Sequence, residues 1–321
     1  MKFLWRAITT AIQRKQISLN IRLFELKELW AKEHYPTLTP GAALNYEFIW
    51  GKIPDSMKRK YFLDLTWADW QGCINLIRNL GLHFYTQKRL KNLCGQLYKF
   101  AIRNNICERN YAPLLTMSKN IPVKEKTVYT MDEIKVLLAN ADNDTAKMVL
   151  ILIFTGVRIS EFLRINSKED VFIDDNYLVI RRSKTVAGTN RPIPIHPVIK
   201  PYIEYFLSKG TTLLITRTSG REAGKPMDYK SFRYRYTRLL RSLNMTHTIH
   251  ECRHTFASLL DDAGANDMCI RRMLGHAGFG VTKKVYTHKN LAQLFEAISL
   301  LKIPGIEPNT QVSINTPQPS S

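Results

Sequence analysis

Between residues 112 and 128 the periodicity of this chain lapses. The stretch APLLTMSKNIPVKEKTV carries two prolines and three lysines and has no recurring apolar spacing, so it reads as a linker. It divides 321 residues into two segments, each long enough to enclose its own core. The segment before it, 21–111, is helical in pattern throughout, with no convincing strand. RLFELKELWAKEHY is amphipathic, and Thr39-Pro40 then forms an N-cap and first-turn pair for a second helix. DLTWADWQGCINLIRNLG predicts another, capped at Thr66 with Asp69 three residues on. In YTQKRLKNLCGQLYKFAIRNN, Leu90, Leu93, Cys94, Leu97, Phe100 and Ala101 share one side at about 100° per residue. Lys88, Lys91, Lys99 and Arg103 fall on the opposite side. Such a face can meet phosphates, or it can simply be solvated.

After the lapse, Thr130 with Glu133 makes a capping-box pattern ahead of Ile134, Leu137 and Leu138. A buried helix through Met148–Phe154, the turn TGVRISE and a short helix follow. DNYLVIRRS and NRPIPIH are two extended runs around Ala187-Gly188-Thr189, which predicts a hairpin with a longer turn. Helices resume near Val198 and run to about Lys302. The expected division is therefore an N-terminal segment 1–20, a helical domain 21–111, a linker 112–128, a larger domain 129–302 and a tail 303–321. That larger domain is mainly helical with a small antiparallel β element. The tail, polar and proline-bearing, is expected to be disordered.

Lys and Arg outnumber Asp and Glu by 47 to 27, a formal charge of +20 that favours a polyanionic partner, nucleic acid above all. The plainer alternative is a basic protein that is merely soluble. A hydrophobic content of 45% excludes a largely disordered chain. The five cysteines are odd in number and form no CxxC pair, as expected of reduced thiols in a cytoplasmic compartment. The longest apolar run, Met148–Val157, is too short to span a bilayer, and MKFLWRAITTAIQRKQ lacks the apolar core of a signal peptide.

HECRH, from His250 to His254, satisfies the H-E-x-x-H pattern of zinc hydrolases. Against that reading, Arg253 would set a cation inside the metal-binding turn. Ala257 also stands where the extended zinc pattern requires glycine. The same residues admit another use. His250 and Arg253, three apart on a helix, face one way and can clamp a phosphate. Upstream, TGVRISE places Arg158 at a helix start with Glu161 three residues on, an ion-pair spacing that can also aim an arginine. Tyr286 follows His276 by ten positions in LGHAGFGVTKKVYTHK. A phenol, imidazoles and arginines are what a phosphodiester-cutting enzyme needs where fixed side-chain cations do the work of a metal.

In order and spacing, TGVRISE, the hairpin, HECRHTFAS, LGH and YTH resemble the motifs of the tyrosine recombinases, or phage integrases, over roughly residues 21–302. The resemblance implies that fold: a helical core-binding domain joined to a catalytic domain, closing as a C-shaped clamp on double-stranded DNA. It implies a catalytic set of Arg158, Lys184, His250, Arg253, His276 and Tyr286, with Glu161 orienting Arg158. It further implies cleavage and rejoining through a 3′-phosphotyrosine linkage with no metal, ATP or other cofactor. Partners implied are DNA, three further copies in a tetrameric synapse, and accessory DNA-bending or directionality proteins. The setting would be cytoplasmic and nucleoid-associated.

By the same resemblance, the helix around 290–302 would dock on a neighbouring protomer, although its apolar face also suits packing on its own chain. Residues 1–20 are too few for an added arm-binding domain, so core-site binding alone is expected. Cys252 stands where leucine is common. For the lysine role, Arg181, Arg182 and Lys225 remain rivals to Lys184. For the nucleophile, Tyr229, Tyr234 and Tyr236 compete with Tyr286, but FRYRYTR suits a DNA-contacting helix, with Arg233 and Arg235 as its contacts. A type IB topoisomerase-like nicking-closing enzyme and a non-cutting DNA-binding regulator are the alternative functions.

Overall fold

The computed structural model describes residues 20–120, 127–183, 186–217, 220–276 and 288–303. Lys184 and Tyr286 lie outside these described residues, as do 1–19 and the tail from 304 on. The chain forms two compact units, Met1–Lys124 and Glu125–Ser321.

The first unit is built from α1 (Leu23–His34), α2 (Pro40–Trp50), the short α3 (Asp55–Lys58), α4 (Trp67–Asn79) and α5 (Phe84–Arg103). Local chemistry sets their starts. Thr39 accepts the amide of Ala42 with Pro40 in the first turn, and Thr66 and Asp69 form a reciprocal capping box. On α5, Leu90, Leu93, Cys94, Leu97, Phe100 and Ala101 are all buried, the face that the spacing predicts. Trp70, fully buried, donates its indole N–H to Tyr98 Oη at 3.1 Å.

Residues 112–118, read above as the start of a linker, belong instead to this unit. Ala112 and Leu115 are buried in its core. Two buried glutamines hold the extended strand beyond them. Gln71 Oε1 accepts from Thr116 N at 2.9 Å and its Nε2 donates to Thr116 O at 3.0 Å. Gln87 Oε1 accepts from Ser118 N at 2.9 Å. A segment without periodicity can thus be fixed when side-chain amides satisfy its backbone.

The second unit centres on α7 (Asp144–Thr155), whose residues from Met148 to Thr155 are all buried. It is apolar all round because other helices surround it: α6 (Met131–Ala139), α9 (Lys200–Leu207), α10 (Tyr229–Ser242) and α11 (Ile249–Asp262). Thr130 and Glu133 cap α6 reciprocally, as their spacing predicts. The β element is an antiparallel sheet in the order β1 (Val171–Phe172), β2 (Tyr177–Ile180), β3 (Arg191–Pro194), with Ile180 opposite Arg191. The two-residue β1 was too short to be read from sequence. All four residues of β3 are buried, because α12 (Asp267–Leu274) and α13 (His288–Ser299) pack on it.

In this chain α13 packs on its own unit, burying Leu294, Ala297, Ile298, Leu301 and Ile303 in the main core. His196 Nε2 meets Leu301 O at 2.9 Å and secures the exit of that helix. Ile303, read as the first residue of a disordered tail, is therefore part of the core.

Candidate active site

Two left-handed glycines shape the site. Gly156 (φ 62°) ends α7 and Gly275 (φ 65°) ends α12. A Cβ on Gly156 would lie 2.3 Å from the Phe256 ring, and one on Gly275 would lie 2.6 Å from Gly188 Cα. Both turns thus need glycine for conformation and for space.

Arg253, buried on α11, spans these two turns. Its Nη1 donates to Gly156 O at 2.8 Å and its Nη2 to Leu274 O. The guanidinium sits at two helix C-termini, where the helix dipoles favour a cation. Burial, then the neighbouring Arg158 and Arg191, push its pKa down to about 9, still charged at neutral pH. The helix carrying it is itself pinned at its start. His247 Nδ1 meets Glu251 Oε2 at 2.9 Å and its Nε2 meets Glu133 Oε1 at 3.0 Å, while its ring stacks on Tyr129. Glu251 and Glu133 are also the capping carboxylates of α11 and α6, so one imidazole joins two helix N-termini.

Arg158 is the N-cap of α8 (Ile159–Phe162). Its Nη1 donates to Glu161 Oε1 at 2.9 Å and to Ser183 Oγ at 3.3 Å, and Ser183 Oγ donates to the same carboxylate oxygen at 2.6 Å. The sequence had not marked Arg191, the largest contributor to this cluster after burial. Its side chain is 1% exposed, and its Nη2 donates to Glu161 Oε2 at 2.6 Å. Its Nε donates to Met273 O at 2.8 Å, and Nη1 reaches Gly188 O in the hairpin turn. Burial tends to raise the Glu161 pKa. Hydrogen bonding and charge from Arg191, with Ser183 and the Arg158 amide, override it and hold the carboxyl at about 2.

His276 directly follows Gly275 and is exposed. Burial of its ring, followed by Arg253 and Arg158, lowers its pKa. Two residues before it, Leu274 O receives Arg253 Nη2, which brings this end of α12 to the arginine pair. His250 is exposed one turn before Arg253, its ring 4.8 Å from that of His254 and perpendicular to it. Arg158, Glu161, Arg253 and His276 are thus gathered, with His250 on the outer face of the same helix as Arg253. Ser183 precedes the undescribed Lys184 directly.

Several rivals are otherwise engaged. Arg181 pairs with Asp170 at 2.7 Å, Lys225 sits by Glu222 at 3.6 Å, and Tyr236 is buried against Tyr129 Oη at 2.6 Å with burial raising its pKa. Tyr229 and Tyr234 are exposed. Among the described residues no group of three His, Cys, Asp or Glu side chains is placed to hold a metal ion, and Glu251 of HECRH is committed to its capping box.

The expected DNA-facing cations divide. Lys88 and Lys99 are exposed. Lys91 is not part of that face: its Nζ donates to Leu115 O at 2.7 Å and to Pro113 O, closing the turn there. Arg103 pairs with Glu33. On α10, Arg233 is exposed, while Arg235 lines a cleft of about 620 Å³ with Arg217, Arg221, Lys230 and Arg238. Among the described residues no helix is long and apolar enough to cross a membrane.

The second unit is thus mainly helical, with two arginines converging on one carboxylate and a small sheet at its edge. Residues 127–293, just over half of the chain, match the phage integrase family, and the chain belongs to that family. It is 28% identical over 186 residues to a tyrosine recombinase XerA of Pyrococcus horikoshii, covering 57% of this chain and 64% of that one. With a tyrosine recombinase XerC of Listeria welshimeri it shares 28% identity over 279 residues, 82% of this chain and 91% of the relative. Among solved structures, the Tn1549 transposon integrase in complex with transposon right end DNA superposes with a TM-score of 0.68 at 17% identity, covering 88% of this chain and 99% of that one. A lambda integrase tetramer bound to a Holliday junction gives 0.67 at 16% identity, covering 88% and 90%.

Proposed function

We propose that this protein is a site-specific DNA recombinase that cuts and rejoins strands through Tyr286. The observation that supports the reading most is that Arg253 is bonded to Gly156 O on the turn leading into Arg158, with the charges of both arginines acting on His276. In this reading the two guanidiniums take the non-bridging oxygens of one phosphate. In the proposed step the Tyr286 oxygen attacks phosphorus, forming a 3′-phosphotyrosyl ester as the P–O5′ bond breaks. A phenol with an ordinary pKa near 10 needs a proton acceptor at neutral pH, the role assigned to His250. Lys184 supplies the proton that leaves with the 5′-hydroxyl. Arg158, Arg253 and His276 stabilise the charge that builds on phosphorus oxygens. Each such preorganised donor is worth on the order of 3–4 kcal/mol.

The ester conserves the energy of the broken bond, so attack by another strand's 5′-hydroxyl rejoins DNA without ATP. Exchange of partners requires more than one active site. We therefore infer assembly as a tetramer on duplex DNA, with the helical first unit and the basic α10 face as the DNA-gripping surfaces. DNA-bending or directionality proteins are proposed as accessory partners, in a cytoplasmic, nucleoid-associated setting. A nicked suicide duplex carrying the cognate site tests the reading. Wild type should form a covalent protein–DNA adduct and Tyr286→Phe none. An adduct on another side chain, or none on any site beside the gene, would overturn it.

A further inference from the structure

Glu161 is one carboxylate between two guanidiniums. Its Oε1 receives Arg158 Nη1, Ser183 Oγ and, at 3.4 Å, Arg191 Nη1, while its Oε2 receives Arg191 Nη2 and the amide of Arg158. Among the described residues, the Arg158 side chain donates only through Nη1, to Glu161 and Ser183, which leaves Nε and Nη2 for an incoming group. Arg191 is the opposite case. It is fully buried, and all three of its nitrogens are engaged by Met273 O, Gly188 O and Glu161. It therefore has no access to a substrate, and among the described residues its only anionic partner is the carboxylate that Arg158 also uses.

We propose that Arg191 is a positioning residue that neutralises Glu161 and so leaves the charge and outer donors of Arg158 available to the scissile phosphate. Without Arg191, Glu161 keeps a full negative charge, and its Oε2 is left with the Arg158 amide as its partner among the described residues. A carboxylate in that state favours the side-on, two-bond fork with the nearest guanidinium. Arg158 would then turn its Nη2 inward and lose its outward charge to the pair. The same buried guanidinium ties the hairpin turn at Gly188 and the α12 end at Met273 to Glu161, so three segments that flank the site share one tie.

Because this rests on the recombinase reading, single-turnover cleavage of a suicide duplex is measured for wild type and Tyr286→Phe beside the Arg191 variants. Absence of a wild-type adduct fails that reading and this proposal together. A wild-type adduct with variants off the following pattern fails this proposal alone. Arg191→Met should slow cleavage at saturating protein by at least about thirtyfold, somewhat less than the roughly hundredfold or greater effect of a donor lost outright, with DNA affinity changed less than about threefold. Arg191→Lys keeps the cation and should stay within about tenfold of wild type. Arg191→Met combined with Glu161→Gln removes the unbalanced charge and should recover at least about tenfold over Arg191→Met.

A smaller loss in Arg191→Met, a lysine variant as slow as the methionine, or no recovery in the double variant overturns the proposal. If Arg191→Met does not fold, the double variant and Arg191→Lys decide it. Arg191→Lys should then cleave within about tenfold of wild type and the double variant within about thirtyfold, and a greater loss in either one is fatal.

Discussion

Arg253 Nη1 donates to the carbonyl of Gly156 at 2.8 Å, across 97 residues of chain. The bond fixes the guanidinium on the turn that leads directly into Arg158, so the two arginines are spaced by a glycine in the left-handed region. Replacing that glycine should damage both stability and chemistry. Gly156→Ala places a Cβ 2.3 Å from Phe256 at φ 62° and is expected to cost about 2–4 kcal/mol. Gly264→Ala, at φ 77° but with open space around it, should cost only about 1–2 kcal/mol. Denaturant titration of the two variants measures the difference, and cleavage should fall only in the first.

Lysine cannot reproduce a fork that spans two carbonyls. Arg253→Lys keeps a charge yet reaches at most one of Gly156 O and Leu274 O at a time. Single-turnover cleavage is expected to drop about a hundredfold or more, with little change in DNA affinity at fixed salt.

His196 gives the fold a pH dependence near neutrality. Burial lowers its pKa from 6.5, with the Leu301 carbonyl partly opposing, while its Nδ1 accepts the amide of Val198. The unfolded chain therefore takes up the proton first as pH falls through about 6.5. Stability is full above that value and declines below it until the folded-state pKa is passed. Thermal melts from pH 8 to pH 5 should show a falling midpoint in wild type and a shallower fall in His196→Gln.

The lysines of α5 should separate in salt titrations. Lys88→Gln and Lys99→Gln, exposed positions, should each reduce the slope of log affinity against log salt by about 1. Lys91→Gln should leave that slope unchanged and lower the melting temperature, because its ammonium serves Pro113 and Leu115.

Chelation addresses the HECRH segment. With side-chain cations at the phosphate, EDTA should leave covalent adduct formation unchanged. Inhibition that zinc reverses would assign His250 and His254 to a metal instead.

What could be read from sequence was chiefly what is local. The Thr66–Asp69 and Thr130–Glu133 capping boxes and the Arg158–Glu161 pair lie three residues apart, within one turn of helix. The buried face of α5 followed from spacing alone. Arg191 escaped because its partners Glu161 and Met273 are 30 and 82 positions away, and NRPIPI gives only a strand signal. Gln71 and Gln87 escaped for a related reason. Glutamine on a helix is ordinarily a solvated residue, and nothing nearby marks the backbone 45 and 31 residues later that these two hold. The inward seat of α13 depended on β3, whose fully buried pattern appears only once both its neighbours are in place.

That seat carries a consequence for biosynthesis. α13 covers β3 and α12, and Leu301 and Ile303 beyond it complete the floor of the second unit, so a chain still emerging from the ribosome short of them leaves that core unfinished. Translation thus delays the closure of a potential strand-cutting centre until just over three hundred residues have been made, and a prematurely terminated product would be poorly equipped to nick the genome.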